Sequence, residues 1–467
     1  MSDGDIFQTP KGEEEHHKYH TPIEKKLQGP LESFGDFIVN QITTSVLLVM
    51  FAIIAIIWAS FDYFGDSYKV FQNYHLGITL GSYSPTISLK HFVNDFLMAL
   101  FFFFLGLEVK REFIAGELGR SNVRNTVIFA ALGGMIVPAL IFVYLSPDQY
   151  DLKGWGVPIA TDTAFALGVL ALLKHRLPRS IFSFIAALAV IDDIGAITVL
   201  ALFYTNPPDP FFILMATCAL LTLLFINMVG IRKFVPYFLL GILTWFFVEK
   251  AGLHGTIAGV LVALTIPARP KTGPKRFIQK IEKLTSKLRK KEINQETTIV
   301  EDDEKQAIIE KVESLAIKSA SPLSRLQHLI QPSIFIFVLP IFALTNTGIP
   351  VSLEKVHFAF EHSLAQNTFI SLLAGKLIGI SLFTWLICRF KVGVLPTGMK
   401  FGHVIGLSLL AGIGFTMSIF IAEMGFGQSP DIVYVKTGIF SASITAAVVG
   451  YVFLFLYSRK VNEITPD

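Results

Sequence analysis

The apolar residues of this chain fall in blocks rather than scattering. About a dozen blocks, each near the ~20 residues a helix needs to cross a bilayer, run from residue 43 to residue 457. That pattern predicts an all-α polytopic membrane protein; a membrane β-barrel shows ~10-residue alternating segments instead. Composition agrees. Of 467 residues, 52% are hydrophobic and only 16% charged, against roughly 25% charged in soluble domains. Cys218 and Cys388 both lie in apolar blocks, so no disulfide or metal framework is expected. Residues 1–40 are polar, and no small-residue cleavage site follows the first block, so no cleavable signal is expected.

The expected spans are 43–60, 92–109, 124–145, 157–173, 180–204, 210–230, 234–248, 252–267, 328–346, 366–388, 403–425 and 432–457. Twelve spans put both termini on one side. The positive-inside rule identifies that side. Lys110, Arg111, Arg120 and Arg124 fall in one loop, Lys174, Arg176 and Arg179 in another, and Arg232 and Lys233 in a third. Arg389, Lys391 and Lys400 follow in the same alternation, and the intervening loops are poor in Lys and Arg. Both termini are therefore expected in the cytoplasm. The organisation reads as a tail (1–42), spans one to eight (43–269), a polar insert (270–322), spans nine to twelve (323–458) and a second tail (459–467).

Two segments break the pattern. Residues 62–91 contain "YHLGITLGSYSPTISLKH", whose alternation and Gly-Ser turn chemistry predict a short β-hairpin outside the membrane. The insert first carries basic residues, with Phe277, Ile281, Leu284 and Leu288 at helical spacing. After the "EDDE" of 301–304 come Ile308, Ile309, Val312 and Leu315, again at helical spacing. A helical hairpin near anionic lipid fits this pattern; so does a solvated loop.

Ionisable residues inside spans are functional candidates by default. Asp95, Asp162, Asp192, Asp193 and Lys376 are read as deep. Asp192 and Asp193 are adjacent in "AALAVIDDIGAITVLALFY", so on a helix they point about 100° apart. One can face a water-filled cavity while the other turns to a neighbouring helix. Burial and a nearby like charge both make a carboxylate hold its proton more tightly. Such a site can trade a proton for a hard cation such as Na⁺ or Li⁺. Lys376, in "SLLAGKLIGISLF", is too central to snorkel easily, and a salt bridge to Asp192 is expected.

Two spans are weak helices. "GVPIATDTAFALG" carries Pro158, Thr161, Asp162 and Thr163; "LLAGIGFTMSIF" carries Gly412 and Gly414. Interrupted helices at matching places in two halves of a transporter mark its binding site, often through an inverted repeat. Here the halves are spans three to five and ten to twelve, of opposite orientation, with spans four and eleven as their middle members. Crossed broken helices gather two partial positive ends and two partial negative ends, which Asp162 and Lys376 can balance.

Together these residues resemble the bacterial NhaA-type sodium/proton antiporters. The matching stretches are "VNDFLMALFFFFLGLEVKRE", "IATDTAFALGVLALL", "ALAVIDDIGAITVLALFYTN", "GLHGTIAGVLVALTIPAR", "LPIFALTNTGI", "GKLIGI" and "GIGFTMSIFIA", in order across most of the chain. The resemblance implies electrogenic exchange of cytoplasmic Na⁺ or Li⁺ for external protons in the bacterial inner membrane. It implies twelve helices with spans four and eleven crossed and broken. It implies Asp193 as the principal cation ligand, with Asp192 and Thr161 beside it, and Asp162 and Lys376 as the pair that balances the helix ends. Glu108, Arg111, Glu112 and His254 match positions tied to pH response at or near the cytoplasmic funnel. The hairpin at 62–91 matches a homodimer contact. No cofactor, nucleic acid or organic substrate is implied.

The chain also departs from the family. Before span nine it reads "LQHLIQP", with Gln327 and Gln331 where the family commonly carries a Glu and a second His, and His328 kept. The insert is longer than the family's. An intramembrane aspartyl protease would need catalytic aspartates on two spans, one in a Gly-x-Gly-Asp motif, but Gly412-Ile413-Gly414 is followed by Phe415. A sodium-coupled symporter would need a larger polar pocket for an organic solute. A channel would need a repeated filter motif, and none is visible.

Overall fold

Residues 41–77, 86–115, 121–146, 148, 150–205, 207–270, 273–292, 303–350, 361–427 and 429–464 are described in this computed structural model. They are built almost entirely of helices. In hydrocarbon no water can satisfy a backbone amide, so apolar segments satisfy their own.

Helix α1 (Gln41–Ser60) leads into α2 (Asp62–Gln72), then β1 (His75–Gly77) and β2 (Thr86–Ser88). The two strands pair antiparallel, with Leu76 opposite Ile87. Then come α3 (Leu89–Ile114) and α4 (Ser121–Leu145). Two 3-10 turns, Asp151–Gly154 and Val157–Ile159, precede α5 (Thr163–Ala171). Helices α6 (Arg179–Phe203), α7 (Pro210–Val229), α8 (Phe234–Lys250) and α9 (Gly255–Thr265) follow. The insert supplies α10 (Pro274–Glu292) and α11 (Asp303–Ser319), which pack against each other. The chain continues through α12 (Pro322–Asn346) and α13 (Ser363–Arg389). It closes with α14 (Phe401–Leu410), α15 (Phe415–Phe426) and α16 (Ile432–Ile464).

Among the described residues, eight helices are long and apolar enough to cross a membrane, or ten when each of two bent pairs counts as one span. Helices α8, of 17 residues, and α9, of 11, fall short of that length. The outer surface is apolar where lipid would lie: Leu221, Phe225, Phe238, Leu239, Ile444 and Val448 are all exposed.

Contacts at the helix ends place successive helices antiparallel. At the end with the Lys/Arg-rich loops, Lys110 Nζ donates to the carbonyls of Leu264 and Ile266, both at 2.6 Å. There too the Thr126 hydroxyl donates to Val394 O at 2.9 Å. At the opposite end, Asn367 Nδ2 donates to Leu145 O at 2.9 Å and Gln72 Nε2 to Thr345 O at 2.7 Å. Burial lifts the Tyr68 phenol well above the ordinary tyrosine value. It therefore keeps its proton, donating to Leu344 O at 2.9 Å while Gly348 N donates to it at 3.1 Å.

Helices α4 and α13 meet backbone to backbone. A Cβ on Gly133 would collide with Gly379 O, and a Cβ on Gly379 with Gly133 O. Small residues permit this approach, which replaces the missing hydrophobic drive between helices in lipid. The contact fixes α13 beside the middle of the bundle, where Lys376 lies.

The expected breaks in the spans at 157–173 and 403–425 are present, and two expected boundaries are corrected. The first span bends by 42° between Asp151–Ile159 and Thr163–Ala171, the second by 48° between Phe401–Leu410 and Phe415–Phe426. The last helix runs on to Ile464. Helix α3 begins at Leu89 rather than 92, capped by Ser88 Oγ accepting from His91 N at 3.3 Å. Asp95 lies within the first two turns of this helix and is not deep. Its side chain is partly exposed and pairs with His91 Nδ1 at 2.7 Å.

Candidate ion-binding site

The two breaks touch. Residues 160–162 are extended, and Asp162 N donates to Ile413 O at 2.7 Å. Helices α5 and α15 both begin here, while α14 and the turn Val157–Ile159 both end here. Pro158 sits at the start of that turn. Gly412 lets α13 come close: a Cβ on it would lie 3.2 Å from Leu372 O. A Cβ on Gly414 would collide with Ser418 Oγ, which instead donates to Val157 O at 2.8 Å.

A carboxylate serves both helix starts, and an ammonium serves one of the two carbonyl ends. Asp162 caps both helix starts. Its Oδ1 accepts from Phe165 N at 3.0 Å, and its Oδ2 accepts from Thr416 N at 3.0 Å and from the Thr416 hydroxyl. A carboxylate against two partial positive ends is the favourable sign. Lys376 Nζ donates to Ile159 O, at the carbonyl end of the turn, and pairs with Asp192 Oδ2 at 2.7 Å. Asp162, Asp192 and Lys376 are all buried.

Asp192 and Asp193 differ in what holds them. Asp192 Oδ2 takes Lys376 and lies 3.0 Å from the Thr161 hydroxyl, which is also 3.0 Å from Ala411 O. Asp193, one residue on, points elsewhere, as the helical rotation requires. Its Oδ1 is buried with no hydrogen-bond partner among the described residues. So is Asp192 Oδ1. Buried carboxylate oxygens without partners are rare and call for an explanation.

Asp193 lines a cavity of about 60 Å³ with Glu108, Asp162, Thr163, Thr416 and Met417 among its walls. One water needs ~10–15 Å³ by this measure, so the space admits a small ion with a few waters and no organic solute. A carboxylate with an unpartnered oxygen in its wall is the right chemistry for a hard cation. A larger cavity of about 200 Å³, lined by Phe96, Trp245 and Gly259 among others, has only uncharged walls.

Three of the four expected pH-response residues lie together and one does not. Glu108 reaches the cavity, and Arg111 Nη2 is 3.7 Å from its Oε1. Glu112 follows on the same half-buried stretch. His254 lies at the opposite end of the bundle, its Nε2 2.7 Å from Tyr204 O. Gln327 is buried with Oε1 unpartnered, while His328 is exposed.

Sequence reasoning missed a second buried charge cluster. Glu423 Oε1 is 2.6 Å from Lys436 Nζ, and Glu423 Oε2 is 2.7 Å from Lys90 Nζ. The signal was present: Glu423 interrupts the apolar run "FTMSIFIAEMGF", and Lys436 stands near the start of the last one.

Two touching helix breaks, counter-charges at the helix starts and at one carbonyl end, and a free carboxylate lining a small cavity define a membrane transporter of small ions. Comparison with known proteins identifies the lineage. The family model described as Na+/H+ antiporter 1 matches residues 35–454. An antiporter of Shewanella denitrificans named Na(+)/H(+) antiporter NhaA 1 is 40% identical over 440 residues, covering 94% of this chain and 97% of that one. The Na(+)/H(+) antiporter NhaA of Oleidesulfovibrio alaskensis is 38% identical over 95% of this chain and 98% of its own. The counterpart from Sulfurimonas denitrificans is 34% identical over 95% of this chain and 100% of its own. The chain belongs to the Na⁺/H⁺ antiporter 1 family, a family of secondary antiporters.

Proposed function

We propose that this chain exports cytoplasmic Na⁺ or Li⁺ in exchange for external protons, by competition at Asp193 and Asp192. The single observation that carries the reading is the contrast between the two aspartates. Asp192 is paired with Lys376, while Asp193 has no ion pair among the described residues and lines the cavity. Facing the cytoplasm, the carboxyls release protons and Na⁺ binds with Thr161 and Asp162 nearby. Facing outward, protons displace the ion. Two carboxyls can carry more than one proton per Na⁺, which makes exchange electrogenic. Loading at Asp193 draws on the same negative charge that holds Lys376, so Lys376 is counted among the groups whose proton can move.

The Lys/Arg-rich loops orient both termini to the cytoplasm of a bacterial inner membrane. Twelve spans, with α8 and α9 as short seventh and eighth members and the bent pairs crossed, complete the topology. Glu108 stands where it can couple proton concentration to the cavity; Arg111, Glu112 and His254 are the other proposed pH-response positions. The β1–β2 pair is the proposed homodimer contact.

The test is Na⁺- or Li⁺-induced collapse of a pH gradient in proteoliposomes. Asp193→Asn keeps shape and a carbonyl oxygen but holds neither charge nor exchangeable proton. Exchange should fall by at least about a hundredfold, some 2.7 kcal/mol, with the protein still inserted. Near-normal exchange by this variant ends the shared-site reading.

A further inference from the structure

We infer that one face of α15 forms the outer gate of this transporter, closed by an aromatic layer and by an ion-pair latch between Lys90 and Glu423. Thr416, Phe420 and Glu423 are spaced i, i+4 and i+7, so they share a face. Thr416 is at the site, where it serves Asp162. One turn outward, the Phe420 ring lies between Phe102 of α3, at 5.4 Å, and Phe342 of α12, at 6.1 Å. All three rings are buried. The next turn carries Glu423, held by Lys90 of α3 and Lys436 of α16.

Each layer joins α15 to a helix outside the two repeat bundles. The bundles are α4–α6 and α13–α16, which carry both breaks and both aspartates. In transporters built this way, access alternates by rocking of a repeat bundle against the rest around a fixed site. The contacts on this face are therefore those that must part for the site to open outward. The cavity on the Glu108 side needs none of them broken.

The charge arrangement suits a contact that breaks and reforms. Removing one partner of a buried pair is strongly destabilising because it strands a charge. Glu423 escapes that penalty. When Lys90 leaves, Lys436 still pairs with it, and Lys436 moves with the same bundle. The Lys90 side chain is already 26% exposed, against 2% for Glu423, so water can take it as the mouth opens. Counted as ionised groups, two ammoniums around one carboxylate leave the closed gate positive, which opposes Na⁺ return.

The inference rests on the antiport reading, and two experiments in proteoliposomes of defined orientation test it. Lys90→Gln removes the latch and leaves Glu423 with Lys436. The population closed on the outside should fall, and an apparent affinity scales with the competent fraction. The cytoplasmic KM for Na⁺ should rise by about three- to tenfold, with the maximal rate kept or raised, and Lys90→Arg should restore the wild-type KM. A purely structural role would lower the rate through lost folded protein and leave KM in place. In a background lacking Cys218 and Cys388, the variant Lys90→Cys/Glu423→Cys/Lys436→Met would be joined by a cleavable bifunctional thiol reagent. Joining should arrest exchange and reduction should restore it. An unchanged KM in Lys90→Gln, or undiminished exchange by the joined protein, overturns the gate. Failure of the wild-type protein to exchange Na⁺ for protons would instead sink the antiport reading itself.

Discussion

Two buried lysines are paired with carboxylates in this bundle, and the two arrangements are built on opposite charge balances. In the middle, Asp162, Asp192, Asp193 and Lys376 are buried around the two breaks: three carboxyls and one ammonium, with Lys376 paired to Asp192. Near the end opposite the Lys/Arg-rich loops, Lys90 and Lys436 share Glu423: two ammoniums and one carboxyl. The centre is short of positive charge and the Glu423 cluster has it to spare. A cation is therefore favoured at the centre and opposed at the Glu423 cluster. Removing a lysine should also differ. Asp192 has no second cationic partner among the described residues, whereas Glu423 has one.

The largest effect should follow from breaking the central pair. Lys376→Met strands Asp192, whose side chain is wholly inaccessible. Loss of one partner of such a pair is worth about 3–5 kcal/mol, so thermal stability in detergent should drop sharply, and exchange with it. Adding Asp192→Leu should recover much of the stability, because an apolar replacement of both partners is often neutral, while exchange stays lost. If Lys376 also moves a proton, Lys376→Gln should lower the membrane potential developed per Na⁺ exchanged. Voltage-dye signal against ²²Na⁺ flux in matched vesicles measures that ratio. Wild-type stability together with an unchanged ratio would leave Lys376 as a counter-charge to helix ends only.

The Glu423 cluster should be more forgiving. Lys436→Met leaves Glu423 bonded to Lys90, so the cost should be nearer the ~1–3 kcal/mol of a lost charged hydrogen bond. Melting curves recorded beside Lys376→Met decide the matter. Equal losses would mean that the shared carboxylate gives no tolerance, and the contrast between the clusters would fail.

Outside the bundle the expected effect is smaller again. Helices α10 and α11 pack on each other, and Lys275, Arg276, Lys280, Lys283 and Lys287 are exposed. Among the described residues, none of either helix lines the Asp193 cavity. Replacing residues 275–318 by a short Gly/Ser linker should keep exchange within about twofold, since changing loop length costs little chain entropy. Its effect should appear instead in binding to vesicles of anionic lipid. Loss of exchange in a well-expressed deletion would give the insert a role in transport.

Much of the central site was legible because its residues violate the solvent around them. An aspartate or lysine in an apolar run must have a reason, and Pro158, Gly412 and Gly414 mark where a helix cannot run straight. Adjacent aspartates on a helix must diverge, and so they do. Asp95 misled because an apolar run does not show which neighbours reach a charge: His91, one turn earlier, pairs with it, and its side chain stays partly exposed. Glu423 and Lys436 lie in different apolar runs, and Lys90 lies in an outer loop by composition. Only packing reveals that the three meet. The locations of Glu108 and His254 at opposite ends likewise follow from chain direction, which a resemblance at each position does not convey.

The smallest effect concerns pH response, and it extends the contrast to a third buried polar site. Gln327 is 3% exposed, and its Oε1 has no partner among the described residues. It lies on α12, which packs against α3, the helix that carries Glu108 and Lys90. An amide keeps the same charge at every pH, so this position adds nothing to the proton count of activation. Gln327→Glu has nearly the same shape but can release a proton as pH rises. If the bundles that carry the breaks move against α12 and α3 during exchange, the new charge will favour one arrangement once it forms. The pH profile of exchange should then steepen, or its midpoint move by about one unit, a coupling of ~1.4 kcal/mol. Gln327→Leu, which cannot titrate, should leave the steepness as it is. Gradient-collapse assays at closely spaced pH values resolve the two. An identical profile for Gln327→Glu, in protein of normal stability, would show that this end of α12 does not sense pH and would leave Glu108 and the aspartates to set it.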